Sequence, residues 1–70
     1  MLKITMAKDG HPPRTISIAN RPGGGFIIIA DLGYKTKRLA YLDARTAIDV
    51  FNRRVRNYRR LGWANIREDL

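Results

Sequence analysis

The 70-residue sequence contains no cysteine. This absence excludes disulfide bonds, thiolate nucleophiles and every zinc or iron–sulfur site that depends on cysteine ligands. The single histidine, His11, has no second histidine or cysteine with which to share a metal ion. We therefore expect neither a metal nor another cofactor, and the packing of apolar side chains has to stabilise the fold.

Long apolar runs are absent as well. The longest is Phe26–Ala30, far short of the roughly 20 residues that a membrane-spanning helix requires. The segment Met1–Thr5 has neither the basic start nor the apolar stretch of a signal peptide. We therefore expect a cytoplasmic protein that does not associate with membranes.

Acidic residues are scarce. Six Asp and Glu stand against 14 Lys and Arg, which gives a formal net charge of +8 and a pI of about 10.9. With 44% hydrophobic residues the chain is too apolar for an intrinsically disordered tail. A chain this short has room for one domain, residues 1–70, with a thin core and no large catalytic cleft.

The spacing of apolar residues predicts four strands followed by a helix. Period-two alternation and a β-branched run place the strands at about 2–8, 14–20, 26–32 and 37–42. From residue 44 the apolar period changes to three and four residues, which predicts a helix over about 44–61. Asp43 is suited to the N-cap, and Gly62 to the left-handed position that ends a helix. The remaining segment, 63–70, is expected to be a short tail.

These elements predict an α+β fold: an antiparallel β-meander of three to four strands, followed by one long C-terminal α-helix packed on the sheet. One helix covers only one face, whereas the third strand has Ile27 and Ile29 on the face opposite Ile28. Trp63 and Ile66 have no evident place in a one-helix core. We therefore expect a homodimer or higher oligomer that buries them; the alternative is that Trp63 and Ile66 cover Ile27 and Ile29 within one chain.

Arginine dominates the second half of the predicted helix. Five of the eight residues in Arg53–Arg60 are arginine, and Arg45 lies two turns upstream. On a helical wheel Arg45, Arg53, Arg56 and Arg60 fall opposite the apolar stripe, and Arg54 and Arg59 flank it. A solvated face normally mixes both signs of charge, but the only acidic residues here are Asp43 and Asp49. The pattern favours nucleic-acid binding over a merely solvated face, and the small apolar stripe disfavours a membrane surface.

A second basic group accompanies the fourth strand, where cations lie close in sequence to Tyr34 and Tyr41. Such interleaving is typical of surfaces that follow single strands; alternatively, Tyr41 packs under the helix and the lysines protect an edge strand. Arg21 precedes a flexible glycine loop that could follow a nucleic-acid backbone or groove, and could equally be a plain long hairpin loop. The candidate nucleic-acid-binding residues are Arg45, Arg53, Arg54, Arg56, Arg59, Arg60, Lys35, Lys37, Arg38, Arg21 and Tyr34.

No set of residues suggests catalysis. The sequence offers no nucleophile beside a base, and turns, a strand end, a cap and a helix surface account for its aspartates. We therefore expect a small basic non-enzymatic nucleic-acid-binding protein without a small-molecule substrate, with DNA favoured over RNA. The alternatives are an RNA-binding protein, or an interaction module or inhibitor that docks its basic face on an acidic protein.

Overall fold

The computed structural model describes residues 2–69 and contains one five-stranded antiparallel sheet with one helix on a single face. The elements are β1 (Leu2–Ala7), β2 (Arg14–Asn20), β3 (Phe26–Asp31), β4 (Thr36–Tyr41), α1 (Ala44–Arg60) and β5 (Ala64–Asp69). The strand order across the sheet is β4-β3-β2-β1-β5. The α+β class is confirmed, but two expectations were wrong: the sheet has a fifth strand, and the helix lies between β4 and β5 instead of at the C-terminus.

The predicted tail forms β5, which pairs with β1 at an edge of the sheet. Its residues do not alternate between apolar and polar, because three charged residues, 67–69, follow one another. Both sides of this strand are largely exposed, and Ile66 is 60% accessible. Backbone pairing with β1 therefore holds β5 in place more than side-chain burial does, and this leaves no period-two signal in the sequence.

The helix connects the two edge strands, β4 and β5. Its 17 residues rise about 25 Å, which is enough to span a sheet whose edge strands lie about 19 Å apart. Asp43 is the N-cap and accepts a hydrogen bond from the Thr46 backbone N–H at 2.9 Å. Gly62 follows the helix with a φ of 95°, a conformation that side chains with a Cβ disfavour. Both predicted helix ends are confirmed.

The core lies between α1 and the sheet face that it covers. Met6, Ile16 and Ile28, on three adjacent strands, are completely buried. The core cluster consists of Ile4, Met6, Ile16, Ile28, Phe51, Val55 and Trp63. Burying each large apolar side chain contributes about 1.5–3 kcal/mol, so this single layer of contacts supplies most of the stability of the domain.

Trp63 belongs to this core, contrary to the expectation that it has no place there. It is 5% exposed, and its ring meets the Tyr58 ring edge-on with 6.2 Å between centroids. Its position on the helix side of the sheet also makes the single-chain alternative wrong, because Trp63 does not cover Ile27 and Ile29. The burial of Trp63 therefore removes one of the observations from which we expected an oligomer, while Ile66 stays exposed.

The opposite side of the sheet, here called the open face, has no helix against it. Strand alternation places Ile27 and Ile29 on this face, and both are half-buried. Ile29 lies between Ser17 of β2 and Arg38 of β4, and Lys3 pairs with Ser17 on the same side. The open face therefore joins two isoleucines to small and basic side chains.

Candidate nucleic-acid interface

One stripe of α1 packs on the sheet and leaves the rest of the helix surface to arginine. Ala47, Phe51 and Val55, spaced by four residues, are buried, as residues on one helical face should be. All arginines of the helix lie outside this stripe: five are exposed, and Arg54 on its flank is half-buried. We call these six residues the arginine face: Arg45, Arg53, Arg54, Arg56, Arg59 and Arg60.

Few acidic side chains neutralise the positive charge of the arginine face. α1 itself contains one carboxylate, Asp49. The carboxyl of Asp43 is occupied by Thr46, whose backbone N–H and hydroxyl both donate to it and hold its pKa below the ordinary 3.8. Within residues 2–69 the one ion pair joins Arg67 and Asp69, 3.0 Å apart on β5. The guanidinium donors of α1 are therefore free, in this part of the chain, to meet an anionic ligand.

A groove of about 620 Å³ runs beside α1. Leu2 and Ile4 of β1 line it from the sheet, and Glu68 of β5 adds one carboxylate. From the helix it is lined by Asp49, Phe51, Asn52, Arg53, Val55, Arg56 and Arg59. The groove thus combines an apolar base with three guanidinium groups, and its net charge favours anions.

The second basic group divides between the two sides of the sheet. Lys37 pairs with Ala30 and shares the helix side with it, whereas Arg38 pairs with Ile29 on the open face. Both side chains are exposed. Tyr34, in the turn before β4, is 75% exposed, and the Lys35 ammonium lies 6.0 Å from its ring centre. A ligand seated flat on α1 can reach the side of the sheet that carries Lys37, but not the side that carries Arg38.

Arg21 lies at the other end of the sheet from the β3–β4 turn, in the loop between β2 and β3. The loop is closed by a hydrogen bond from the Arg21 backbone N–H to the Gly25 carbonyl at 2.9 Å. Gly25 closely approaches the Tyr41 backbone, where a Cβ would be only 2.5 Å from the Tyr41 oxygen. Arg21 therefore shares this end of the sheet with the start of α1 and with Arg45.

Two further cations, absent from the predicted set, have structural roles. Lys8 donates from Nζ to the Leu61 carbonyl, just beyond the last turn of α1, where a positive charge is favourable. The Arg14 guanidinium lies over the Trp63 ring. The alternation of β2 was the available signal for Arg14, since it places this residue on the same side as Ile16 and Ile18.

The aromatic rings are nearly all turned inward. Phe51 and Trp63 are buried, and Tyr41 and Tyr58 pack at the edge of the core, so the alternative in which Tyr41 lies under the helix is confirmed. Phe26 is half-buried. Of the one Trp, three Tyr and two Phe in the chain, only Tyr34 is widely exposed to solvent.

Residues suited to metal binding do not converge in the described part of the chain. Across residues 2–69 no group of three or more His, Asp and Glu side chains could hold an ion. The His11 ring instead lies 5.6 Å from the Trp63 ring, centre to centre. In the same range no helix has both the length and the apolar character that crossing a membrane requires.

No protein-family model matches the chain, and no curated protein or solved structure is significantly similar to it. Functional inference therefore depends on the geometry and charge of the arginine face.

Proposed function

We propose that this protein binds nucleic acid through the arginine face of α1, without catalysing a reaction. The observation that carries the proposal is the concentration of six arginines on one helix, five of them exposed, without a carboxylate paired to any of them within residues 2–69. DNA is the favoured ligand, and RNA is the second candidate.

The physical basis is the release of counterions from phosphates. Each phosphate that an arginine neutralises releases condensed cations, so that log K falls with log salt by about 0.9 per contact on duplex DNA. Arginine suits this role because its planar donors can engage two phosphate oxygens at once. The formal net charge of +8 adds long-range attraction to a polyanion.

The remaining candidate residues lie away from α1 and extend the basic surface beyond the arginine face. Lys35, Lys37 and Tyr34 lie in or beside the turn before β4, while Arg21 lies at the opposite end of the sheet. We assign them a supporting role for a long ligand. Arg38, on the open face, takes part only if the ligand wraps around the sheet.

The experiment is fluorescence anisotropy with labelled duplex DNA, single-stranded DNA and RNA of equal length at several salt concentrations. A variant with Arg53→Gln, Arg56→Gln and Arg60→Gln should lower the slope of log K against log salt by roughly two to three units. The charge-matched control is Lys3→Gln, Arg38→Gln and Arg67→Gln, a set that lies outside the arginine face.

Equal losses in the two triple variants would show that binding follows net charge and not the arginine face. Absence of binding to all three nucleic acids at low salt would overturn the proposal and favour the acidic protein surface as the partner. Circular dichroism checks that both variants keep the fold.

A further inference from the structure

The positions of the aromatic rings discriminate between classes of nucleic acid. Proteins that hold single strands stack successive bases on exposed rings, at roughly 1–3 kcal/mol per base. In this chain the rings of Phe51 and Trp63 are buried, and those of Tyr41 and Tyr58 pack against the core. Tyr34 alone is widely exposed, and one ring does not form a stacking platform. A ligand whose bases are already paired is better suited to this surface.

The shape of the arginine face also favours a duplex. α1 stands as a ridge on the sheet, and a helix with its side chains is about 10–12 Å across, which matches the B-DNA major groove of about 12 Å. Its arginines cover both flanks of the ridge: Arg59 lines the groove beside β1 and β5, and Arg54 lies outside that groove, on the opposite flank by the helical wheel. By the same helical wheel Arg53 and Arg60 lie between the two flanks, on the side of α1 away from the sheet, and Arg53 also lines the groove. Such an arrangement can meet both phosphate rows that border a major groove.

The same geometry disfavours an RNA duplex. The A-form major groove is deep and narrow and does not admit a helix, while its wide minor groove is shallow. Lying on a shallow surface, α1 could use its outermost arginines, but those on the flanks, Arg54 and Arg59, would miss the phosphates. The number of phosphate contacts is therefore larger on B-DNA.

We infer that the ligand of the arginine face is B-form duplex DNA and that α1 lies in its major groove. The inference rests on the nucleic-acid binding proposed above and narrows it to one form of the polymer. Arginines on both flanks and at the crest of the helix contact the phosphates of the two strands.

The test compares four ligands of one sequence and length by competition against a labelled DNA duplex. They are the DNA duplex, its single strand, the corresponding RNA duplex, and a DNA duplex in which each cytosine carries a glucosylated hydroxymethyl group at C5. That last substituent fills the major groove without changing the charge of the polymer. We expect each of the other three to bind at least about tenfold more weakly than the plain DNA duplex.

A single strand or RNA duplex that competes as well as the DNA duplex would overturn the choice of B-DNA. A glucosylated duplex that competes equally would overturn entry into the major groove. Failure of all four ligands to bind would instead remove the proposed function itself.

Discussion

The guanidinium carbon of Arg14 lies 4.5 Å from the centre of the Trp63 ring and 5.7 Å from that of Tyr58. The contact joins the first residue of β2 to the end of α1 and the residue that leads into β5. Arg14 is half-buried, so its charge acts within the fold, where a cation over an aromatic face is attracted by the ring quadrupole.

Replacing Arg14 by Ala is therefore expected to destabilise the protein by about 1–2 kcal/mol, through the lost ring contact and the lost packing of the side-chain stem. Arg14→Lys should recover part of this loss. Urea denaturation followed by the fluorescence of the single tryptophan measures both. Arg38→Ala, an exposed change on the open face, should stay within about 0.5 kcal/mol, and an equal effect of the two alanine variants would contradict the assignment.

The Phe51 side chain packs between the middle of α1 and the sheet, and Phe51 is only 3% exposed. Phe51→Ala is expected to cost about 3–5 kcal/mol, which for so small a domain means substantial unfolding. Ile48→Ala, three residues earlier and at a side chain that is 50% exposed, should cost under about 1 kcal/mol. Thermal melts by circular dichroism distinguish them, and similar melting temperatures would show that α1 does not pack by this stripe.

The Asp43 cap predicts a specific response to acid. Hydrogen bonds from Thr46 lower the pKa of this carboxyl below 3.8, so its contribution is fully present above that pH and is lost as the pH falls through the folded-state pKa. Asp43→Asn, which keeps a capping oxygen but loses the charge, should melt below the parent at pH 6, and the difference should shrink as the pH falls below 3.8. The control Asp49→Asn removes a carboxylate from the same helix without removing the cap. A pH-independent difference for Asp43→Asn would refute the linkage.

Glu68 places a negative charge in the groove that Arg56 and Arg59 line. Glu68→Gln should strengthen binding to a DNA duplex by about two- to threefold at moderate salt, because one repulsion with phosphate is removed. Asp69→Asn makes the same change in net charge beside Lys3, its β1 partner, and should have a smaller effect. Anisotropy titrations measure both, and equal gains would show that α1 and its groove are not where the ligand lies.

Self-association is expected from the open face alone. If Ile27 and Ile29 pack against a second copy, light scattering should report a mass near twice 8.0 kDa at high concentration. Ile29→Lys should return the mass to that of one chain, whereas Ile66→Lys, at an exposed position on β5, should not. A mass of 8.0 kDa at every concentration would exclude the dimer.

The elements predicted most accurately were those with strong periodicity. β1 to β4 and α1 begin and end within one or two residues of the predicted positions, because apolar residues repeat there with the period of the structure. β5 escaped prediction since its pairing is made by backbone groups and its side chains face solvent. The position of Trp63 was also predicted wrongly, because its backbone hydrogen bond to the Tyr58 carbonyl and its contact with Arg14 join residues that no sequence pattern connects.

The arginine face could be derived from spacing alone, since the stripe through Phe51 and Val55 dictates which residues lie opposite. The positions of Lys37 and Arg38 relative to α1 could not be predicted in this way. These residues lie on opposite sides of the sheet, and the sequence does not show which side the helix covers. The burial of the aromatic rings could not be predicted either, because it also depends on which side of the sheet the helix covers. The inference that the ligand is a duplex therefore depends on the three-dimensional arrangement and not on the sequence alone.

The pairing of β5 with β1 has a consequence for the order in which the molecule can assemble. Lys3 and Asp69 are register partners, so the strand that lies between β2 and β5 stays unpaired on one side until residues 64–69 have left the ribosome. Closing so long a loop is slow, and β1 lacks one of its two neighbours until it happens. The β2–β3–β4 meander can form early in folding, whereas Ile4 and Met6 of β1 become fully buried only late. A chain stalled before residue 63 therefore exposes an unfinished sheet edge to any chaperone or protease nearby.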